Sequence, residues 1–325
     1  MARRLTGPAR RRRLIPGGSL IRHDIPAGPG GHRPVAASAG DAATLEAAKA
    51  ARRVPVTHTF LMCPPEFFAV EYAINAWMDP RDPPDRACAW AQWRQLRATL
   101  TGLGHAVHTI DPVPGLPDMV FAADGATLIG GKVLSARFRW PQRAPESAAY
   151  LHWLTRNGYG PAAEARAVTE GGDVVDAGRV ILAGYGFRTD QAAAGDLEAL
   201  FGLPVLSLRL VNERFYHLDT ALCVLDDDCA AYYPAAFDEP SRATLAGHFP
   251  VLVEAEDQDA EVLGLNVVSD GRHVVMSGQA AGLTRRIAAL GFTPVPVDMS
   301  EFRKSGGGPR CCTLELGKVR MRAAP

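Results

Sequence analysis

Apolar positions along the chain change period in a repeating order. From Met119, "MVFAADGATLIGGKVLSARF" gives two apolar runs joined by Gly130 and Gly131, "ESAAYLHWLTRNG" switches to helical spacing, and "ARAVTE", Ala165–Glu170, returns to a strand. The order recurs in "DVVDAGRVILAGYG", a hairpin turning at Asp176 to Gly178, followed by the helix "DQAAAGDLEALFG" and the strand "PVLSLRLV". A third copy reads "LDTALCVLDDDCAAYY", "PSRATLAGHF", "PVLVEAE". A fourth reads "NVVSDGRHVVMSG", turning at Asp270 and Gly271, then "QAAGLTRRIAALGF" and "PVPVDM". Each copy is strand, strand, helix, strand, about every 44 to 55 residues, a period that belongs to propellers and solenoids. The remaining pieces make a fifth copy: a strand at Cys311, "HTFLMC", the helix "RACAWAQWRQLRATLTGLG" and "HAVHTI". Pairing the two ends would close a ring with few unpaired edges. The predicted class is α/β, with an open sheet of irregular connections as the competing arrangement.

The pattern fails over the first 56 residues. Residues 1 to 53 carry ten arginines and one lysine against Asp24, Asp41 and Glu46, with "RRRR" at Arg10 to Arg13 and few core-forming residues. That composition predicts a disordered basic tail over 1–56 and a single folded domain over 57–325. A transit peptide or an over-extended reading frame would look the same. There is no signal-peptide h-region and no window of about 18 apolar residues, so no membrane span is expected. Lys plus Arg and Asp plus Glu both total 35, so the chain as a whole has no field to recruit nucleic acid. The six cysteines show no C-x-x-C spacing, which predicts neither a zinc site nor a disulfide framework, and a cytoplasmic location.

Polar residues collect at the start of each copy. Asp118 and Asp124 flank an apolar run read as a strand, Glu170 and Asp173 bracket a glycine pair, and "FYHLDT" brings His217 and Asp219. "KSGGGPRCCTLEL" ends three glycines on Cys311 and Cys312. If the cysteines begin a strand, their side chains point to opposite faces and only one can meet a pocket. A thiol needs a cation, a histidine or a dipole to become a thiolate, and nearby carboxylates oppose that. They make sense if the substrate is itself a planar cation: a guanidinium offers its N–H groups in a fork that carboxylates bind. Asp118 and Asp124 as turn residues, and His217 as a core histidine, are the plainer alternatives.

The order "PDMVF…D", "EGGD", "FYHLD" and "GGGPRC", with "LMCPPEFFAVEYAINAWMDP" ahead of it, resembles the guanidino-group modifying superfamily, and within it the dimethylarginine dimethylaminohydrolases, over about residues 57 to 320. The resemblance implies a five-bladed pseudo-symmetric α/β propeller (pentein) of ββαβ units, in agreement with the count above. It implies Cys311 as nucleophile, His217 as general acid/base and Glu170 in the catalytic set, with Asp118, Asp124 and Asp219 holding a guanidinium. Arg188 and Arg139 would meet the substrate carboxylate, with Arg137 and Arg143 as near competitors for the second place. No metal or organic cofactor is expected, and the partner is a small guanidino substrate, with homo-oligomers left open. Related arginine dihydrolases tend to carry Asn where Asp124 stands, which favours a single hydrolysis ending at citrulline. Arginine deiminase, arginine dihydrolase and amidinotransferase chemistry are the alternatives, as is a non-catalytic ribosome- or RNA-associated ring.

Overall fold

The protein is described by a computed structural model covering residues 35–36 and 53–320. The basic tail predicted over 1–56 thus falls almost wholly outside the described residues. After a two-residue strand, Val35–Ala36, which pairs parallel with Val251–Leu252 at the edge of one blade, come strand β1 (Val56–Met62), helix α1 (Arg86–Gly102) and strand β2 (Ala106–Thr109). Four further units follow. The first is β3 (Ala126–Ile129), β4 (Lys132–Ser135), α2 (Glu146–Arg156) and β5 (Ala162–Glu164). The second is β6 (Val174–Asp176), β7 (Ile181–Tyr185), α3 (Ala193–Phe201) and β8 (Val205–Arg209). Next come β9 (Leu222–Val224), β10 (Cys229–Tyr232), α4 (Glu239–His248) and β11 (Val251–Glu254). The last unit is β12 (Val268–Ser269), β13 (His273–Ser277), α5 (Ala281–Ala289) and β14 (Thr293–Val297), and β15 (Leu314–Arg320) ends the fold.

In every blade the middle strand is antiparallel to the strand before it and parallel to the strand after the helix. β15 supplies the missing first strand of the blade that holds β1 and β2, pairing antiparallel to β1, so the two chain ends close the ring. Local chemistry explains the elements. Gly130 and Gly131 both take positive φ, 58° and 82°, as a tight primed hairpin turn demands. Asp85 caps α1 by accepting from the Cys88 N–H at 2.7 Å, and Ala89, Trp93, Leu96 and Leu100 bury one stripe of that helix.

One predicted strand is displaced. β5 is Ala162–Glu164 rather than Ala165–Glu170, because the Arg166 and Ala167 N–H groups donate to the Asp196 carboxylate at 2.8 and 3.0 Å instead of entering a ladder. Among the described residues, five apolar clusters hold the ring, each bridging neighbouring blades; Leu61 and Leu314, for example, pack with Tyr150 and Leu154. Each fully buried side chain of this size is worth about 1.5–3 kcal/mol. Along the axis lies a cavity of about 540 Å³, lined by Leu128, Val175, Val224, Val268 and Leu314, one from the first strand of each blade. Asp219 stands in its wall.

Candidate active site

The segments that lead into the first strands converge at one end of the ring. Asp118 and Asp124 do not flank a strand: Pro117–Val120 and Ala122–Gly125 are single 3-10 turns, with the Phe121 N–H donating to Asp118 O at 2.9 Å and the Asp124 N–H to Phe121 O at 3.1 Å. Gly171–Asp173 is another such turn, and His217 is the residue before a one-turn helix, Leu218–Ala221. The cysteine pair also precedes its strand, which starts only at Leu314. The Cys312 and Thr313 N–H groups turn back to the carbonyls of Gly308 and Arg310, so no ladder is available to them. The two thiols still part. Cys311 Sγ lies 3.4 Å from Asp219 Oδ2 and 3.0 Å from Asn266 Nδ2, while Cys312 is wholly buried in the cluster with Val120 and Phe302.

His217 and Glu170 form a buried pair, Nε2 to Oε2 at 2.9 Å. The same Glu170 oxygen takes Arg188 Nη1 at 2.9 Å, and Oε1 accepts from the backbone N–H of Arg139 at 3.0 Å. Burial alone would push Glu170 up, but the His217 hydrogen bond and the Arg188 charge outweigh it and hold the carboxyl well below its usual range. Burial likewise disfavours the imidazolium, yet Asp124, Asp173 and Glu170 outweigh it and raise His217 to about 9. His217 is therefore protonated at neutral pH. Burial, with the charges of Asp219 and Asp124, drives the Cys311 thiol far up.

The carboxylates are unequally satisfied. Asp118 accepts from Tyr72 Oη at 2.8 Å and Ser305 Oγ at 3.0 Å. Asp124 Oδ2 pairs with Arg143 Nη1 at 2.6 Å, but its Oδ1 stands 3.5 Å from His217 Nδ1, and neither of those atoms has a hydrogen-bond partner. Asp219 Oδ1 is equally orphaned. No side chain fits between these groups: a Cβ at Gly172 would lie 2.6 Å from Asp124 Oδ1 and 2.8 Å from His217 Nδ1.

All six predicted groups other than the arginines thus meet at one end of the ring. Of the arginines, Arg188 is buried there, its Nη2 donating to Ile74 O at 3.2 Å and its guanidinium over the Tyr216 ring. Arg139 contributes its backbone, while its guanidinium turns outward to Asp190, 2.5 Å away, at 37% side-chain exposure. The guanidinium buried beside Asp124 is that of Arg143, which also grips Glu146 through both oxygens. Sequence reasoning assigned nothing to Tyr72, Ser305 or Asn266. Asn266 did carry a signal: it precedes β12 by two residues, as Asp124 precedes β3. The loop between Cys63 and Asp85 roofs the site, tied by Tyr72, by Asn75 Nδ2 to Ser305 O at 3.1 Å, and by Trp77 Nε1 to Arg214 O at 2.7 Å.

A buried thiol among carboxylates with orphaned acceptors suits attack on a cationic carbon, and on a five-bladed ring that combination marks the guanidino-group modifying enzymes. Residues 93–262 match the family model for arginine deiminase. The chain is 51% identical over 267 residues to N(G),N(G)-dimethylarginine dimethylaminohydrolase of Mycobacterium tuberculosis, spanning 82% of this chain and 88% of that one. It is 34% identical to the bifunctional arginine dihydrolase/ornithine cyclodeaminase AgrE of Nostoc sp., across 79% of this chain and 37% of that larger protein. The crystal structure of the N-terminal domain of ArgZ, an arginine dihydrolase from cyanobacteria, matches with a TM-score of 0.77 at 32% identity, covering 80% of this chain and 98% of that one. The chain belongs to the dimethylarginine dimethylaminohydrolase family of the arginine deiminase superfamily.

Proposed function

We propose that this chain hydrolyses Nω-methylated arginine, with asymmetric dimethylarginine giving citrulline and dimethylamine. The observation that carries this reading is the set of orphaned buried acceptors, Asp124 Oδ1 and Asp219 Oδ1, beside Cys311 and His217. A guanidinium placed between them would satisfy both oxygens and set its central carbon against the sulfur. Its charge would offset the carboxylates that oppose the thiolate, with Asp219 Oδ2, 3.4 Å from Sγ, in reach of the thiol proton.

The thiolate of Cys311 then attacks the guanidinium carbon, and His217, already protonated, gives its proton to the departing amine as the C–N bond breaks. A covalent S-alkylthiouronium remains. Water, deprotonated by His217, attacks the same carbon; the C–S bond breaks, citrulline leaves and the thiol is restored. Glu170 keeps the imidazole in place through both steps. Among the described residues, Arg188 and Arg143 are the buried cations available to the amino-acid end of the substrate.

The test is citrulline release from asymmetric dimethylarginine and from arginine in separate assays, with ornithine followed in both. Citrulline mainly from the methylated substrate is expected. Citrulline from arginine alone would make the protein a deiminase. Ornithine would make it a dihydrolase, the activity named for the cyanobacterial relatives, and would overturn the weight placed on Asp124.

A further inference from the structure

Asn266 brings a polar but non-titratable side chain to the lead-in of its blade, whereas Asp124, Asp173 and Asp219 stand one to three residues ahead of the first strands of three other blades. It is wholly buried, and its amide uses all four of its hydrogen-bonding capacities. Oδ1 accepts from the Arg310 N–H at 3.0 Å and the Cys311 N–H at 3.2 Å. Nδ2 donates to Asp219 O at 3.0 Å and to Cys311 Sγ at 3.0 Å. Backbone N–H groups only donate and a carbonyl only accepts, so the amide cannot be turned over. Its N–H is committed to the sulfur whatever the thiol's charge. Glycine at 308 makes room for this, since a Cβ there would lie 2.8 Å from Asn266 Oδ1.

We propose that Asn266 is a catalytic residue: its side-chain N–H holds the Cys311 thiolate by a hydrogen bond that strengthens as negative charge forms on sulfur, while its carbonyl oxygen fixes the nucleophile's backbone. A hydrogen bond to an ion is roughly twice as strong as one between neutral groups, so the donor favours thiolate over thiol. The need for it is visible in the surroundings. Of the groups around Cys311, the Asp219 and Asp124 carboxylates and the burial itself oppose a negative sulfur, the neutral Tyr216 phenol and Cys312 thiol bring no charge to offset them, and the Gly308 backbone contributes a hydrogen bond in its favour. An aspartate in place of Asn266 would set another carboxylate oxygen against it. The proposal rests on Cys311 being the nucleophile but not on which guanidino compound is the substrate.

The test compares Asn266→Ser and Asn266→Asp with wild type by the pH dependence of iodoacetamide alkylation, read at Cys311 by peptide mass spectrometry, alongside kcat and KM. Both variants are expected to alkylate about tenfold or more slowly at neutral pH, a rise of at least one unit in the thiol's apparent pKa, with Asn266→Asp the slower. For Asn266→Ser the loss should fall on kcat with KM within a few fold, because the donor acts on sulfur and not on substrate. An unchanged alkylation profile in a folded variant would reduce Asn266 to a loop clamp and overturn the proposal. Where the variants do not fold, the wild-type enzyme decides: one Asn266 side-chain N–H resonance should move downfield across the pH range in which Cys311 titrates, and should stay fixed in Cys311→Ala. A resonance indifferent to that titration overturns the proposal equally. Turnover that survives in Cys311→Ser would instead remove the reading of the nucleophile on which it rests.

Discussion

At the scale of single residues, neighbours in sequence have opposite fates, and substitution separates them. Cys311 and Cys312 are adjacent, yet only Cys311 Sγ contacts the polar groups of the site. Cys311→Ser is expected to abolish citrulline release, whereas Cys312→Ser should retain it at a cost of about 1–3 kcal/mol for a hydroxyl placed in an apolar cluster. Loss of turnover in a well-folded Cys312→Ser would reverse the assignment. The arginines divide similarly. Arg143→Leu strips the cation from Asp124 and Glu146, both buried, and should destabilise the fold by about 3–5 kcal/mol in urea denaturation. Arg139→Leu removes an exposed pair worth about 0–1 kcal/mol. Equal effects would mean that the two guanidinium groups are not partitioned between core and surface as described. The sequence pattern favoured Arg139 over Arg137 and Arg143, whereas the guanidinium buried beside Asp124 is that of Arg143, because which way each side chain points is set by the fold and leaves no mark in the order of residues.

At the scale of elements, the blades were legible because each strand and helix carries its own period and each hairpin its own turn residues. Gly130 and Gly131, or Asp270 and Gly271, announce their turns locally. The segments that build the site were not legible in the same way. "MVFAAD" has the composition of a strand, but its N–H groups close 3-10 turns, and "ARAVTE" gives two of its N–H groups to Asp196, a residue 30 positions away. Such non-local partners leave no mark on hydrophobic periodicity. The loop roofing the site is an element of the same kind, held by tethers to distant blades. Trp77 makes two of these contacts with one residue, its N–H to Arg214 O and its ring 3.9 Å from the Arg214 guanidinium. Trp77→Ala is expected to lower kcat/KM on the order of tenfold, the equivalent of one hydrogen bond of ~1.4 kcal/mol, with thermal stability changed far less than activity. Wild-type kinetics in that variant would show that the Trp77 tether does not govern the roof.

At the scale of the whole molecule, the ring concentrates charge from five blades at one end, so protonation there is linked to both stability and binding. His217, raised from 6.5 to about 9, contributes stability that is fully present below pH 6.5 and is lost as pH rises through about 9. Glu170, held below its usual 4.5, contributes stability present above pH 4.5 and lost as pH falls towards its lowered value. Burial raises Asp118, Asp219 and Asp173, the last to about 7; their protonated forms favour the fold, and that contribution is lost as pH rises through the folded values. A bound guanidinium reverses the preference of the carboxylates it touches, because it pairs only with their ionised forms. Binding must then release protons at acid pH, and ligand should stabilise the protein less there. With Cys311→Ser to prevent turnover, a guanidino ligand at about a hundredfold excess over its Kd near pH 8 should add about 2.7 kcal/mol. The same ligand concentration should raise the melting temperature by distinctly less at pH 5.5. A gain in melting temperature that is equal at the two pH values would mean that Asp118 and Asp219 do not receive the cation, whichever compound supplies it.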